Sequence, residues 1–218
     1  MRLVLAAGNP GKLVELQSLL APLDLEIVAQ SSLGIDEAEE PYATFLENAL
    51  AKARHAAAAA GAAAIADDSG LVVDALGGAP GVASAHFAPI EMGSLTDREE
   101  RRRHQDSANN ALLLERLAGR DDRGARFVST LVAVRHAGDP EPLVAFGRWP
   151  GEIARTPRGK NGFGYDPLVY ITALGRTVAE LDAGTKNSAS HRALAARDML
   201  ALMRSAWQLG SASSPRAP

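Results

Sequence analysis

The sequence predicts an α/β fold, because short apolar runs typical of buried strands alternate with segments in which leucine or alanine recurs at helical spacing. The chain has 218 residues, enough for one large domain or for one domain with two lobes. Hydrophobic residues make up 46% of it and charged residues 22%, as is ordinary for a globular protein. The sequence shows no internal repeat and no clear linker, so we expect a single domain.

Two helices and four strands are predicted in the first third of the chain. The first helix carries leucines at helical spacing and ends near Pro22. The second begins at Thr44 and Glu47, a capping-box pair, and continues through an alanine-rich segment to Gly61. A polar, acidic loop at 31–41 precedes it, and an acidic turn separates the last two strands. The predicted strands are 3–7, 25–29, 63–66 and 71–74.

The remainder of the chain predicts a charged helix, two long antiparallel strands joined by a turn, and a closing helix. The charged helix mixes glutamates with an arginine cluster, a pattern typical of a solvated face. The tail is small and polar, so we expect it to be disordered. The predicted bounds are 96–117 for the charged helix, 126–136 and 142–155 for the strands, 163–171 for an apolar segment, 190–207 for the closing helix and 210–218 for the tail.

Charge and composition exclude several classes of protein. The net charge of −3 provides no cationic field for a nucleic-acid backbone, so any anionic ligand must be held by local groups. The absence of cysteine excludes disulfides, thiolate nucleophiles and cysteine-based zinc sites, and it favours a reducing compartment. No apolar stretch is long enough to span a membrane. We therefore expect a cytoplasmic protein that binds neither nucleic acid nor membranes.

Two acidic pairs are candidate metal ligands. Asp67 and Asp68 follow a predicted strand, and adjacent carboxylates are costly to leave unpaired. Glu39 and Glu40 lie in the acidic loop before the second helix. Mg²⁺ accompanies a triphosphate in water, and carboxylates can hold it while one of them deprotonates an attacking water. Taken alone, each pair is more typical of a solvated loop or turn than of a metal site.

A second candidate site lies between the first strand and the first helix. The turn from Gly8 through Asn9, Pro10 and Gly11 leads to Lys12 in the first helical turn. Unpaired N–H groups at a helix N-terminus, together with a lysine, suit a phosphate. The segment does not match the Walker pattern, and an ordinary strand–helix turn remains the alternative.

Two further groups suit the other end of a nucleotide. Gly164 lies between Phe163 and Tyr165, whose rings offer faces on which a base can stack. Asp166 can accept hydrogen bonds from a base or from a sugar. Core aromatics in a glycine-rich turn are the alternative.

Lys186 precedes His191 and Arg192, so three cations lie close in sequence at the start of the closing helix. Three such donors can clamp one anion or the edge of a base, and a capped helix with surface charges is the alternative.

The order of these segments resembles the inosine triphosphate pyrophosphatase family, from about Leu3 to about Met203. The segments that carry the resemblance are 6–12, 39–40 with 44–49, 65–71, 77–82, 149–151, 162–167, and Lys186 with 190–192.

This resemblance implies a mixed twisted sheet flanked by helices, in two lobes with a cleft between them, and a homodimer. The implied domain covers 1–209. The implied activity is Mg²⁺-dependent cleavage of inosine, deoxyinosine and xanthosine triphosphates to the monophosphate and pyrophosphate.

By position, the resemblance makes Asp68 the general base and a metal ligand, and it makes Glu40 the second ligand. Glu39 and Asp67 are further candidates for the metal. Ser69 matches a substrate contact. The remaining substrate-binding positions are Ala7, Gly8, Asn9, Pro10, Gly11 and Lys12 for the phosphates, and Phe163, Gly164, Tyr165, Asp166, Lys186, His191 and Arg192 for the base.

Two residues depart from the pattern of many relatives. Ala7 replaces a threonine, which removes a hydroxyl contact to phosphate, and His86 replaces an arginine. Two other functions remain open: a pyrophosphatase of the related Maf type that acts on other modified nucleotides, and a nucleotide sensor without turnover.

Overall fold

A computed structural model describes residues 1–23, 25–90 and 96–209. They form two compact units. The first comprises 1–68, 129–147 and the chain from Arg192 onward, and the second comprises 69–128 and 148–191. The single two-lobed domain over 1–209 stays a prediction, and the predicted disordered tail at 210–218 lies outside the described residues.

The strands form one open seven-stranded sheet with the order β2-β1-β3-β4-β5-β6-β7. β1 pairs in parallel with β2 and β3, whereas β6 pairs antiparallel with β5 and β7, so the sheet is mixed. This confirms the predicted α/β fold. The strands are β1 (Arg2–Ala6), β2 (Glu26–Ala29), β3 (Ala63–Val73), β4 (Gly124–Val134), β5 (Leu143–Ile153), β6 (Val169–Ile171) and β7 (Arg176–Thr177).

Helices flank this sheet, and none in the described part of the chain has the length and apolar character needed to cross a membrane. The closing helix lies close to its predicted bounds, but a short helix that the sequence analysis missed precedes it. The helices are α1 (Pro10–Leu20), α2 (Phe45–Ala60), α3 (Arg98–Arg116), α4 (Ala183–Ala189) and α5 (His191–Ala206).

Alternating side chains of β1, β3 and β4 divide the core of the first unit into two halves. Leu3 and Leu5 of β1 pack in a cluster with leucines of α1 and methionines of α5. Val4 and Ala6, on the opposite face, pack against the alanines of α2. Successive residues of a strand point to opposite faces of the sheet, so one strand serves both clusters.

The ends of α1 and α2 follow the sequence signals. Asn9 caps α1, and Pro10 occupies its first turn, where a missing N–H costs nothing. The Thr44 hydroxyl accepts the Glu47 N–H at 3.2 Å, so Thr44 caps the helix as predicted. The same hydroxyl donates to the Glu47 carboxylate at 2.6 Å, whereas a capping box pairs that carboxylate with the backbone N–H of the cap residue. α2 ends at Gly61, where the alanine-rich pattern stops.

The predicted acidic turn between two short strands is wrong. β3 runs without interruption from Ala63 to Val73, so Asp67 and Asp68 are strand residues. Gly70 permits this path, because a Cβ there would overlap the Ser84 side chain and the Gly81 carbonyl. The turn signal fails because both carboxylates find cationic partners on distant segments, as described below.

The second unit has its own apolar core, which contains Trp149, Tyr165 and the leucines at the end of α3. The segment predicted as apolar at 163–171 is a series of turns that ends in β6. Most charged residues in the first turns of α3 are exposed, as predicted, but Arg102 is only partly exposed. The strands predicted at 126–136 and 142–155 correspond to β4 and β5.

Candidate active site

Asp67 and Asp68 contact opposite flanking layers of the first unit. The alternation of β3 places Ile65 in the cluster with α1 and α5, and Ala66 in the cluster with α2. Asp67, two residues after Ile65 and on the same face of β3, contacts residues of α1 and α5. Asp68, on the opposite face, contacts α2. The adjacent carboxylates therefore meet separate sets of cations, which relieves the repulsion expected between neighbouring charges.

Asp68 shares the ammonium group of Lys52 with Glu40. The Lys52 Nζ lies 2.9 Å from Asp68 Oδ1 and 3.0 Å from Glu40 Oε2. The side chains of Asp68 and Lys52 are nearly buried, whereas that of Glu40 is 44% exposed. Asp68 Oδ2 is buried and has no hydrogen-bond partner among the described residues. One oxygen of the carboxylate is thus held by lysine and the other is available.

Burial changes the acidity of this group. Desolvation raises the pKa of Asp68 from 3.8 to about 6, against the opposing effect of Lys52. The pKa of Lys52 is raised although desolvation alone would lower it, because Asp68 and Glu40 stabilise its charge. The pKa of Glu40 is lowered, since Lys52 outweighs the desolvation that would raise it. A carboxylate whose pKa lies near neutrality suits proton transfer.

Lys52 was missed in the sequence analysis, although a signal was present. Ala49, Ala53 and Ala56 form the buried stripe of α2, and Lys52 lies on the same stripe. A lysine within an apolar stripe of a helix requires a buried partner.

The loop before α2 presents Glu40. The Asn48 side chain, buried on α2, accepts the Tyr42 N–H at 3.0 Å and donates to the Tyr42 carbonyl at 3.2 Å. These two bonds fix the chain two residues beyond Glu40. Glu39 is exposed. Within 1–23, 25–90 and 96–209, no cluster of three histidine, aspartate or glutamate side chains has the arrangement of a metal site.

Asp67 is fully buried and receives donors at both oxygens. The Ser129 hydroxyl donates to Oδ1 at 2.6 Å. Lys12 Nζ lies 3.2 Å from Oδ2, and the Arg192 Nε donates to the same atom at 3.4 Å. Arg192 also forms an ion pair with Glu15 of α1. In the first unit the structure thus brings together Asp67, Lys12 and Arg192, with Lys12 still partly exposed.

The turn before α1 differs in one respect from the expectation. Asn9 Oδ1 accepts the N–H groups of Gly11 at 2.8 Å and of Lys12 at 3.3 Å, and Pro10 has none. These N–H groups are therefore not open, because the side chain that caps the helix uses them. The Lys12 ammonium group remains as the cationic element of this turn. Gly8 lies against the Glu37 carboxylate, which a Cβ at this position would overlap.

The second unit contains a buried ion pair beside an aromatic ring. Lys186 Nζ lies 2.8 Å from Asp166 Oδ2, and both side chains are less than 10% exposed. The same oxygen accepts the Phe163 N–H at 3.0 Å. Lys186 Nζ also lies 4.5 Å from the centre of the Phe163 ring. These three residues form a platform in which the ammonium group lies over the Phe163 ring.

Glycines allow this turn to form. Gly162 and Gly164 have φ angles of +77° and +62°, a region that favours glycine. At Gly162 a Cβ would also overlap the Asp166 carboxylate. Tyr165 is buried in the core and donates its hydroxyl proton to the Ser84 carbonyl at 2.9 Å, so the expected stacking face is not open on this ring.

The three basic residues near the start of the closing helix have different partners. Lys186 pairs with Asp166, and Arg192 pairs with Glu15 and Asp67. The buried His191 ring stacks on Phe127, with the ring centres 4.8 Å apart. Ser69 directly follows Asp68 in β3, and Ala7 is buried. His86 is exposed.

Comparison with known proteins places these residues in a family. The model of the Ham1 family matches residues 3–202. The dITP/XTP pyrophosphatase of Methylibium petroleiphilum is 69% identical over 207 residues, which cover 95% of this chain and 99% of that protein. The dITP/XTP pyrophosphatase of Leptothrix cholodnii is 64% identical over 211 residues, which cover 96% of this chain and 100% of that protein.

Solved structures agree on the fold. A HAM1 protein from Coxiella burnetii superposes with a TM-score of 0.81 at 42% identity, covering 93% of this chain and 98% of that one. The Ham1 protein of Staphylococcus aureus has a TM-score of 0.79 at 35% identity, covering 94% of this chain and 98% of that one.

Proposed function

Since the chain belongs to the Ham1 family, we propose that it hydrolyses non-standard purine nucleoside triphosphates to the monophosphate and pyrophosphate. Inosine, deoxyinosine and xanthosine triphosphates are the proposed substrates. The observation that carries the proposal is the Asp68 carboxylate. It is buried, held by Lys52 at one oxygen, and free of hydrogen bonds at the other among the described residues.

Asp68 is the proposed general base. A pKa of about 6 leaves the carboxylate ionised at neutral pH, yet basic enough to remove a proton from water. Lys52 fixes one oxygen, so Oδ2 is the atom that accepts the proton. The activated water then attacks the α-phosphorus of the triphosphate, and pyrophosphate leaves.

The donor set fits Mg²⁺ carried by the substrate. Mg²⁺ is commonly bound by one or two carboxylates together with phosphate oxygens and water, so a full cluster of protein ligands is not required. The half-exposed Glu40 would hold the ion beside Asp68, whose Oδ2 stays available to accept the proton. Asp67 is the weaker candidate, because both of its oxygens already have donors. When bound, the metal would offset negative charge on the phosphates.

Lys12 is the proposed cation for the phosphate chain. It lies in the first turn of α1, where the helix dipole also favours an anion. Its partner Asp67 is shared with Arg192, so Lys12 can turn toward a phosphate without leaving Asp67 uncompensated. Lys12 then stabilises the negative charge that develops on the leaving pyrophosphate, and no covalent intermediate is required.

Selectivity for the base is proposed to come from Phe163, Asp166 and Lys186, with His191 and Arg192 as donors to the oxygen at purine C6. A keto group can accept from such donors. An amino group at C6 would leave them unpaired, at a cost of roughly 1–3 kcal/mol each. Adenosine triphosphate is therefore expected to be a poor substrate.

We also propose a cytoplasmic homodimer. The lack of cysteine and the nucleotide substrate are consistent with the cytoplasm. Sedimentation equilibrium tests the assembly, and a monomer at micromolar concentration would contradict it.

Product analysis tests the activity. Purified protein is mixed with Mg²⁺ and inosine triphosphate, and pyrophosphate and orthophosphate are measured separately. Pyrophosphate alone supports the proposal, and orthophosphate without pyrophosphate would indicate a phosphatase. If neither product forms although inosine triphosphate binds, the chain is a sensor. A pyrimidine triphosphate in the same assay separates the Maf-type alternative, which its cleavage would favour.

A further inference from the structure

One face of α3 contacts the turn that carries Phe163. Arg102, Asp106 and Asn110 are spaced four residues apart, so they lie on the same side of the helix. Asp106 and Asn110 bind the backbone of Gly164, and Arg102 lies over the Phe163 ring. The charge pattern of this helix predicts a solvated face, and the function proposed above uses none of these three residues.

Both backbone groups of Gly164 are tied to the helix. Its N–H donates to Asp106 Oδ2 at 3.0 Å, and its carbonyl accepts from the Asn110 amide at 2.9 Å. The two peptide planes that flank this residue are therefore fixed by side chains one helical turn apart. Phe163 precedes the first of these planes, so its Cα position depends on them.

Arg102 completes the arrangement. Its guanidinium carbon lies 5.8 Å from the centre of the Phe163 ring, within range of a cation–π contact. Glu99 accepts from its Nε at 3.0 Å, and Asp106 lies 3.6 Å from its Nη1. The guanidinium is held between two carboxylates, and so its position over the ring is fixed by neighbours on its own helix.

The other side of α3 is anchored in the same unit. Asn109 accepts the Ala88 N–H at 2.8 Å and donates to the Ser84 and Ala85 carbonyls at 3.2 and 3.1 Å. Gln105 donates to the Ala88 carbonyl at 2.8 Å. The helix is thus anchored by hydrogen bonds on its other side, and the bonds from Asp106 and Asn110 connect the turn at Gly164 to this anchored helix.

We propose that Asp106 and Asn110 are positioning residues that hold the Phe163 platform in place for a purine base. This inference rests on the proposed function in so far as Phe163 contacts the base. It concerns the base and not the phosphates, because the hydrogen bonds, ion pairs and ring contact described for Arg102, Asp106 and Asn110 are with the turn at 163–164 or within α3. The occupant is a purine ring that stacks on Phe163.

The test compares one ligand that contains the purine base with another that lacks it. Inosine monophosphate carries the purine, whereas pyrophosphate carries only the phosphate end. Binding of each is measured by calorimetry for the unaltered chain and for Asp106→Ala and Asn110→Ala. Each variant loses one hydrogen bond to Gly164, so we expect inosine monophosphate to bind about fivefold more weakly, with pyrophosphate unchanged.

Conservative and matched control variants separate a loss of Phe163 positioning from a general loss of folding or binding. Asp106→Asn keeps an oxygen that can accept the Gly164 N–H, so it is expected to recover most of the affinity lost in Asp106→Ala. Glu115→Ala removes an exposed carboxylate of the same helix and should leave both ligands unaffected. Arg102→Ala should weaken inosine monophosphate alone, whereas the exposed Arg103→Ala should not.

Three results would overturn the inference: equal weakening of both ligands in Asp106→Ala, no change for either ligand, or no binding of inosine monophosphate by the unaltered chain. If Asp106→Ala does not fold, Asn110→Ala gives the same comparison. The proposed function fails separately. Its failure would appear as binding of inosine monophosphate without release of pyrophosphate from the triphosphate, and the variants would still test the α3 contacts.

Discussion

Replacing Lys52 by methionine should destabilise the chain in a pH-dependent way. The substitution keeps an unbranched side chain that is one atom shorter, and it removes the ammonium group that lies 2.9 Å from Asp68. Burial already raises the pKa of Asp68 from 3.8 to about 6, which corresponds to about 3 kcal/mol of lost stability once the carboxylate is ionised. Without Lys52 the ionised form loses its partner, and removing one member of a buried pair costs about 3–5 kcal/mol.

The sign of the pH dependence follows from the raised pKa. The folded chain holds the Asp68 proton more tightly than the unfolded chain, so stability falls as pH rises from about 4 to about 6. In Lys52→Met this pKa rises further, and the fall continues above pH 6. The loss relative to the unaltered chain should therefore be small at pH 5 and several kcal/mol at pH 8.

Urea unfolding in metal-free buffer at both pH values measures this difference. The double variant Lys52→Met with Asp68→Asn is the control, because an amide has no charge to bury and the pH-dependent part should vanish. An equal loss at pH 5 and pH 8, or a pH dependence that persists in the double variant, would refute the reasoning.

Two further predictions concern other carboxylates. Asp139 is fully buried and accepts from the Arg135 side chain, at 2.7 and 2.9 Å, and from the N–H groups of Arg135 and Glu141, at 2.9 and 3.0 Å. The Arg135 guanidinium and these N–H groups hold the pKa of Asp139 far below the ordinary 3.8. The ionised Asp139 carboxylate therefore stabilises the fold above about pH 4, and this stabilisation is lost as pH falls further. We expect Asp139→Asn to lower the free energy of unfolding by about 1–3 kcal/mol at pH 7 and by less at pH 3, as measured by urea titration; equal losses would contradict the assignment. The Glu37 carboxylate lies against Gly8 of the predicted phosphate turn, so Glu37→Gln should lower the KM for a triphosphate by about twofold to fivefold with kcat unchanged, and a raised KM would show that the carboxylate assists binding.

Much of the fold could be predicted from local patterns. The first strand, the Thr44 cap of α2 and the helix stop at Gly61 depend on neighbours within a few residues, and the structure confirms each. β3 was predicted less well. The local sequence around Asp67 and Asp68 is typical of a turn. These carboxylates can lie in a strand because Lys12, Lys52 and Arg192, from three other segments, compensate their charge.

The candidate site shows the same division. Sequence motifs placed Asp68, Lys12 and Asp166 among the candidates, and the structure gives each a specific ionic partner. Lys52 and the α3 contacts to Gly164 were missed, because they depend on which faces of two helices pack on distant chain segments. Tyr165 was offered as a stacking ring, but its hydroxyl group finds a buried acceptor and the ring fills the core.

The role of Asp68 is the central claim, and the variant Asp68→Asn tests it most directly. Pyrophosphate release from inosine triphosphate is measured with Mg²⁺ present, and substrate affinity is measured on the same preparation. Loss of the base should reduce turnover by about 10²-fold to 10⁴-fold while the nucleotide still binds, because the amide retains the shape of the side chain but accepts no proton. Turnover of Asp68→Asn at the rate of the unaltered chain would contradict the account.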